Sequence, residues 1–165
     1  MAPNPDERFT RFDDEVRSGK HLWTTLGYRR LGWGEGTTSI AWDATEEYGF
    51  PTASGPVIQG GLVTALLDAA MGGACWTVLD QDQAFLTADL RVEFLRSTRP
   101  GTVRATGTVV RRTRRVVFCE AQLFDADDVL LAASRCTQVV LPATGKAGRY
   151  DAPASDGSPP EDARG

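Results

Sequence analysis

"GPVIQGGLVTALLDAAMGGACWTVL", residues 55–79, decides how the rest of the chain must be arranged. It is long, apolar and rich in small residues, and it carries a single charge, Asp68. From Gly60 to Leu79 it is just long enough to span a bilayer. Against that, the stretch holds four glycines, two threonines and a central Asp, which alone costs about 3 kcal/mol in lipid. No second span exists in the sequence, and the neighbouring segments look like strands. The stretch therefore predicts a core helix starting near Gly60. A buried carboxylate is costly unless it is paired, hydrogen-bonded or protonated. Asp68 needs a structural partner or a chemical task.

Working outward, the hydrophobic period changes from about 3.6 to 2 after the helix. In "FLTADLRVEFLR", Leu86, Ala88, Leu90, Val92 and Phe94 alternate with Thr87, Asp89, Arg91 and Glu93. That alternation predicts a half-buried strand whose wet face carries Thr87. "RPG" at 99–101 reads as a turn into a second strand, "TVRATGTVVRR". "RVVFCEAQLFD" and "VLLAASRCTQVVL" follow as a third and fourth, in the order of an antiparallel meander. Upstream, "LGYRRLGW" and "GTTSIAWDA" flank Gly34-Glu35-Gly36 as a hairpin, and "TEEYGFPTASGP" reads as a loop. Residues 6–18 place Phe9, Phe12 and Val16 at helical spacing. The tail from Pro142 is small, polar and proline-rich, a composition that favours disorder.

The expected organisation is an N-terminal helical extension at 1–20, one domain at 21–141 and a tail at 142–165. The fold class is α+β, with one long buried helix wrapped by a curved antiparallel sheet of about six strands. Such a sheet leaves an open edge, which invites pairing with a second copy.

The 165 residues carry a net charge of −4. That argues against a general nucleic-acid partner and for a soluble, acidic surface. The N-terminus is acidic and lacks the apolar core of a signal peptide. Cys75, Cys119 and Cys136 are odd in number and fall in apolar runs, as expected of reduced thiols in a cytoplasmic protein. His21 is the only histidine, so a Ser-His-Asp triad or a histidine-rich metal site has little to build on.

At "GPVIQGGLVTALLDAAMG" the chain resembles the hotdog-fold thioesterases, specifically the PaaI-like acyl-CoA thioesterase group. Their pattern is His followed by a Gly pair, an aliphatic stretch and an acid seven residues after the second Gly. Gly60, Gly61 and Asp68 match it, and the order of elements matches over roughly residues 25–141. Two positions depart: the usual His is Gln59, and the Asn or Gln that many relatives carry fifteen residues before the acid is Ala53. Gln59 can donate and accept hydrogen bonds but cannot act as an acid or base. Thr52, Ser54 and Gln59 are the candidates to compensate. The resemblance implies hydrolysis of acyl- or aryl-CoA thioesters by a homodimer or dimer of dimers. It also implies that Thr87 orients the attacking water, and it calls for no cofactor beyond the coenzyme A of the substrate.

The first amides of a helix lack intrahelical partners and carry the positive end of its dipole. A thioester carbonyl aimed at Gly60 and Gly61 would have its developing oxyanion stabilised there. Asp68 lies about 12 Å further along the same axis, beyond the reach of that carbonyl. The two groups converge only if a second subunit supplies one of them. Asp68 would then act as general base or as nucleophile. The bland alternative is a helix Asp paired with Arg91 or Arg104. "RRTRR" offers Arg111, Arg112 and Arg114 to the phosphates of coenzyme A, with Arg96 and Arg99 as further candidates. Trp33, Trp42 and Trp76 are candidates to line an acyl pocket, or simply to fill the core. A non-catalytic acyl-CoA-binding protein is the competing reading of the same fold. A hotdog hydratase would use an Asp-His pair, and no His lies near Asp68.

Overall fold

The computed structural model describes residues Glu7, Phe9, Thr10, Gly19 and 21–142. Its centre is helix α2 (Gly60–Thr77), preceded by a short helix α1 (Leu22–Leu26). Eight strands surround it: β1 (Arg29–Gly34), β2 (Thr37–Ala44), β3 (Gly49–Phe50), β4 (Val57–Ile58), β5 (Gln83–Phe94), β6 (Gly101–Arg112), β7 (Val116–Phe124) and β8 (Leu130–Pro142). Six of them form one antiparallel sheet in the order β1-β2-β6-β7-β8-β5. A curved six-stranded sheet around one long helix is the hotdog fold.

Helix α2 buries Val63, Leu66, Leu67, Ala70, Met71 and Ala74, the stripe that spacings of three and four residues produce. Against it stand Ile40, Trp42, Val117 and Leu123, all buried. Small residues let helix and sheet touch at backbone distance. A methyl group on Gly107 of β6 would run into the Ala70 carbonyl, and one on Gly73 would meet Thr38 at 2.9 Å. Thr38 itself donates to the Ala70 carbonyl at 2.6 Å. At the far end Thr77 accepts from the Gly36 amide at 2.7 Å, tying the helix to the β1–β2 turn.

The expected four-strand meander is corrected. Only β6, β7 and β8 run in series, while β5 pairs with β8 at one edge of the sheet and β2 takes the free side of β6. The "RPG" segment is thus a crossover and not a hairpin turn. It is fixed by Arg99, whose Nη1 donates to the carbonyls of Ser54 and Gly55 at 3.0 and 2.9 Å. With one strand order the long helix would be covered on one side only; sending β5 to the other edge wraps the sheet around it.

Several local expectations shift. "HLWTT" opens with helix α1, which ends at Gly27 in a left-handed conformation (φ 73°), so β1 starts later than "LGYRRLGW" suggests. The segment expected as a loop holds a 3-10 turn (Glu46–Tyr48) and β3, which pairs with β4. Pro142 belongs to β8, at its last position, where a missing N–H costs least. The alternation of β5 breaks between Thr87 and Asp89, where a bulge at Ala88 shifts the register. Thr87 is exposed, as expected, but stands on the helix side of the strand, where its hydroxyl reaches Asp68, and Leu86 is exposed as well.

Within the N-terminal extension, Glu7, Phe9 and Thr10 are helical and Phe9 is buried. The rest of the helix expected at 6–18, and the tail at 143–165, lie outside the described residues. No helix among the described residues is long and apolar enough to cross a membrane. All three cysteines are free and buried.

Candidate active site

Asp68 sits midway along α2, and burial pushes its carboxyl above the usual 3.8. A hydrogen bond from Thr87 Oγ1 to Asp68 Oδ1 (2.9 Å) acts in the opposite direction. The arginines offered as partners are engaged elsewhere, Arg91 with Glu93 at 2.8 Å and Arg104 with Asp128 at 2.7 Å. The structural alternative of an Asp68 pair with either one is therefore corrected.

Behind Thr87 lies Gln138, a residue the sequence reading passed over. It is fully buried on β8, directly opposite Thr87 in register. Its amide oxygen lies 3.0 Å from Thr87 Oγ1, and its nitrogen 3.2 Å from Cys136 Sγ. A hydroxyl has one proton, so Thr87 cannot donate to both Asp68 and an amide oxygen. The two orientations of the amide fill the same space, and with the amide turned over Gln138 Nε2 would donate to Thr87 and leave the Thr87 proton to Asp68. The sequence did hold a signal: Gln138 is a lone amide in the apolar run "CTQVVL".

At the helix N-terminus Gln59 acts as the cap. Its Oε1 accepts from the amides of Gly61 (2.5 Å) and Leu62 (3.3 Å), which corrects the expectation that both glycine amides stand open. The Gly60 amide donates to no group among the described residues, and it is the one left for a ligand. Capping by Oε1 leaves the two N–H donors of the Gln59 amide beside it.

Gly60 and Asp68 do not meet within one chain. Gly60 opens on a cavity of about 470 Å³ with Phe50, Val57, Val63 and Phe94. Asp68 and Thr87 open on another of about 340 Å³ with Ala69, Gly72, Trp76 and Phe85. The two cavities share no lining residue.

The remaining candidates fall into place around these cavities. Ser54 is bound to Arg99 (Nη2 to Oγ, 2.8 Å) and Thr52 donates to the Gly55 carbonyl at 2.5 Å, so both shape the loop before the helix. Ala53 is exposed in the same loop. Arg112 donates to the Val78 carbonyl and pairs with Asp80 at 2.8 Å, holding the segment after α2. Arg96 donates to the Leu130 carbonyl at 2.7 Å. Arg111 and Arg114 are exposed on and beside the β6–β7 turn. His21 caps the start of α1 through its backbone and is exposed. Of the tryptophans, Trp42 is core, Trp33 rests against Phe9 with ring centroids 4.9 Å apart, and Trp76 lines the Asp68 cavity. No group of three or more His, Cys, Asp or Glu able to hold a metal exists among the described residues.

Residues 55–132 match the family model of the Thioesterase superfamily. ComA2 of Bacillus subtilis (strain 168), a protein named as an esterase, is 27% identical over 85 residues, which cover 51% of this chain and 68% of that protein. Among solved structures, the thioesterase HI1161 of Haemophilus influenzae superposes with a TM-score of 0.69 at 21% identity, covering 76% of this chain and 86% of its own. The PaaI protein of E. coli, from the phenylacetic acid degradation operon, gives 0.68 at 18% identity, covering 78% and 90%.

Proposed function

We propose that this chain is a member of the thioesterase superfamily, whose family model matches residues 55–132, and that it hydrolyses acyl- or aryl-CoA thioesters in the manner of the PaaI-like group. The observation that carries this reading is the Thr87–Asp68 hydrogen bond at the mouth of an aromatic cavity. It supplies an ionisable base, held in one orientation, beside space for an acyl group.

In the proposed reaction a water oxygen attacks the thioester carbonyl carbon while Asp68 takes the water's proton. The carbonyl oxygen becomes an oxyanion and is stabilised by the Gly60 amide of a second copy, at the positive end of that copy's helix. Collapse of the tetrahedral intermediate breaks the C–S bond. The thiolate leaves, is protonated, and the products are a carboxylic acid and coenzyme A. Attack by Asp68 itself, through a mixed anhydride, would use the same atoms. Separation of Gly60 and Asp68 into two cavities supports a composite site, and the chain is accordingly read as a homo-oligomer; the three free, buried thiols support the reading of a cytoplasmic protein. Exposed Arg111 and Arg114 are the arginines proposed to meet the coenzyme A phosphates, Arg112 being committed to the helix end. The chemistry calls on water, a carboxylate and backbone amides, and on no cofactor.

One observation favours the second reading, a non-catalytic acyl-CoA-binding protein: Gln59 is spent as a helix cap and Ala53 offers no polar side chain. Release of free thiol from a panel of aliphatic and aromatic acyl-CoAs separates the two. The enzyme reading expects turnover that Asp68→Asn lowers at least about 100-fold. Equal turnover by both proteins, or none by wild type despite acyl-CoA binding, would overturn it.

A further inference from the structure

The lining of the Asp68 cavity includes an unexpected residue. β1 and β5 are opposite edges of the sheet, yet Arg30 of β1 lines this cavity together with Phe85 and Thr87 of β5. The sheet curls far enough around α2 to bring its edges to one space. A second bulge does the aiming. In β1 the register shifts between Arg30 and Gly32, so that Arg30 stands opposite Ile40 and Trp33 opposite Thr38. Both of those partners are buried, which places Arg30 and Trp33 together on the inward face despite their odd spacing. Without the bulge at Leu31, one of the two side chains would face outward.

Arg30 is held in place by rings. Its guanidinium lies 3.9 Å from the Phe9 ring centroid and 4.9 Å from that of Trp23. Such contacts use the faces of the guanidinium. Hydrogen bonding uses its edge, and five N–H donors allow that edge to serve more than one acceptor. The rest of the cavity fits a ring. Trp76 and Phe85 meet edge to face with centroids 6.0 Å apart, and Gly72 leaves the room that a methyl group would take from Phe85. A cavity of roughly 150 Å³ holds benzene, so about 340 Å³ holds a ring with a substituent. Among the described residues lining this cavity, Arg30 is the one cation and Asp68 the one anion.

We propose that the acyl group accepted here is ring-sized and carries a second, distal carboxylate, which Arg30 reads. This rests on the thioesterase reading above and adds the substrate class. The pairing is chemically matched at both ends. Guanidinium and carboxylate form the charge-assisted, two-point bond for which arginine is suited. Arg30 also offsets the repulsion that a second carboxylate would otherwise meet in a cavity already holding Asp68.

The test compares two thioesters of equal length, 4-carboxyphenylacetyl-CoA and 4-methylphenylacetyl-CoA. Wild type should favour the carboxylate in kcat/KM by at least about tenfold, because a site built to bond a polar group rejects the analogue lacking it. Arg30→Met should lower the carboxylate's kcat/KM about tenfold or more while changing the methyl compound less than about threefold, and Arg30→Lys should fall between. A wild-type preference for the methyl compound would overturn the inference. So would an equal loss on both thioesters in Arg30→Met, which would make Arg30 a packing residue for Phe9 and Trp23. Thermal melting of both variants identifies a folding defect, and the wild-type comparison stands without them. Failure to cleave any thioester counts against the thioesterase reading; cleavage of both without discrimination counts against this inference alone.

Discussion

At Asp68 the fold carries a cost that the proposed chemistry would repay. Burial raises its carboxyl above 3.8, so the folded chain holds this proton more tightly than the unfolded chain does. Stability then falls as pH rises from the unfolded value through the raised folded one. Asp68→Asn keeps the acceptor for Thr87 and removes the charge. It should raise Tm by a few degrees at pH 7, with the difference closing toward pH 3, as thermal melts across that range would read. In the proposed reaction the same upward shift sets the acid limb of activity, since the proposed base works only when ionised. Gln138 acts one bond further back. In Gln138→Leu the Thr87 hydroxyl loses the donor that commits its proton to Asp68, a change worth about 1 kcal/mol. A fall in kcat of about fivefold is expected, with KM little changed and the acid limb moved to higher pH. A merely structural Gln138 would lower the melting temperature and leave the pH profile where it was.

Among the elements, α2 was the most legible, because an apolar segment with glycine pairs and one acid has few other places to go. Its start at Gly60 matches the expectation. The alternation of β6, β7 and β8 was equally plain. What pattern could not supply was partner choice: a strand with one apolar face fits either edge of a sheet, and only the need to cover α2 on both sides sends β5 to join β8. Nor could it supply the bulges, since one unpaired residue at Ala88 or Leu31 leaves composition unchanged while reversing the faces that follow. For that reason the place of Asp68 midway along α2 was readable, whereas the helix-side position of Thr87 was not and Arg30 was missed. Gly107 tests the helix–sheet contact directly. Gly107→Ala drives a methyl group into the Ala70 carbonyl, and neither backbone can give way easily. A destabilisation of about 1–3 kcal/mol is expected in urea or thermal unfolding.

For the molecule as a whole, the separation of Gly60 from Asp68 makes a prediction about mixtures. Gly60→Pro deletes the candidate oxyanion donor at the first position of α2, where proline is well tolerated, and Gln59 already has the extended backbone that a following proline requires (ψ 127°). Asp68→Asn deletes the base. Each protein alone should be nearly inactive. Unfolded together and refolded at equal concentration, they should recover about a quarter of wild-type activity, because half of random dimers are mixed and each restores one of two sites. No recovery, from dimers shown to be mixed, would place both groups in the same subunit's site. The strand order also governs how the chain comes into being. During synthesis α2 and β5 emerge before β8, the strand that must pair with β5 and the last among the described residues, and Gln138 follows Thr87 by 51 residues. The ribosome thus releases Asp68 before the amide that backs its Thr87 partner exists, and the nascent helix must wait, half-covered, until β8 arrives.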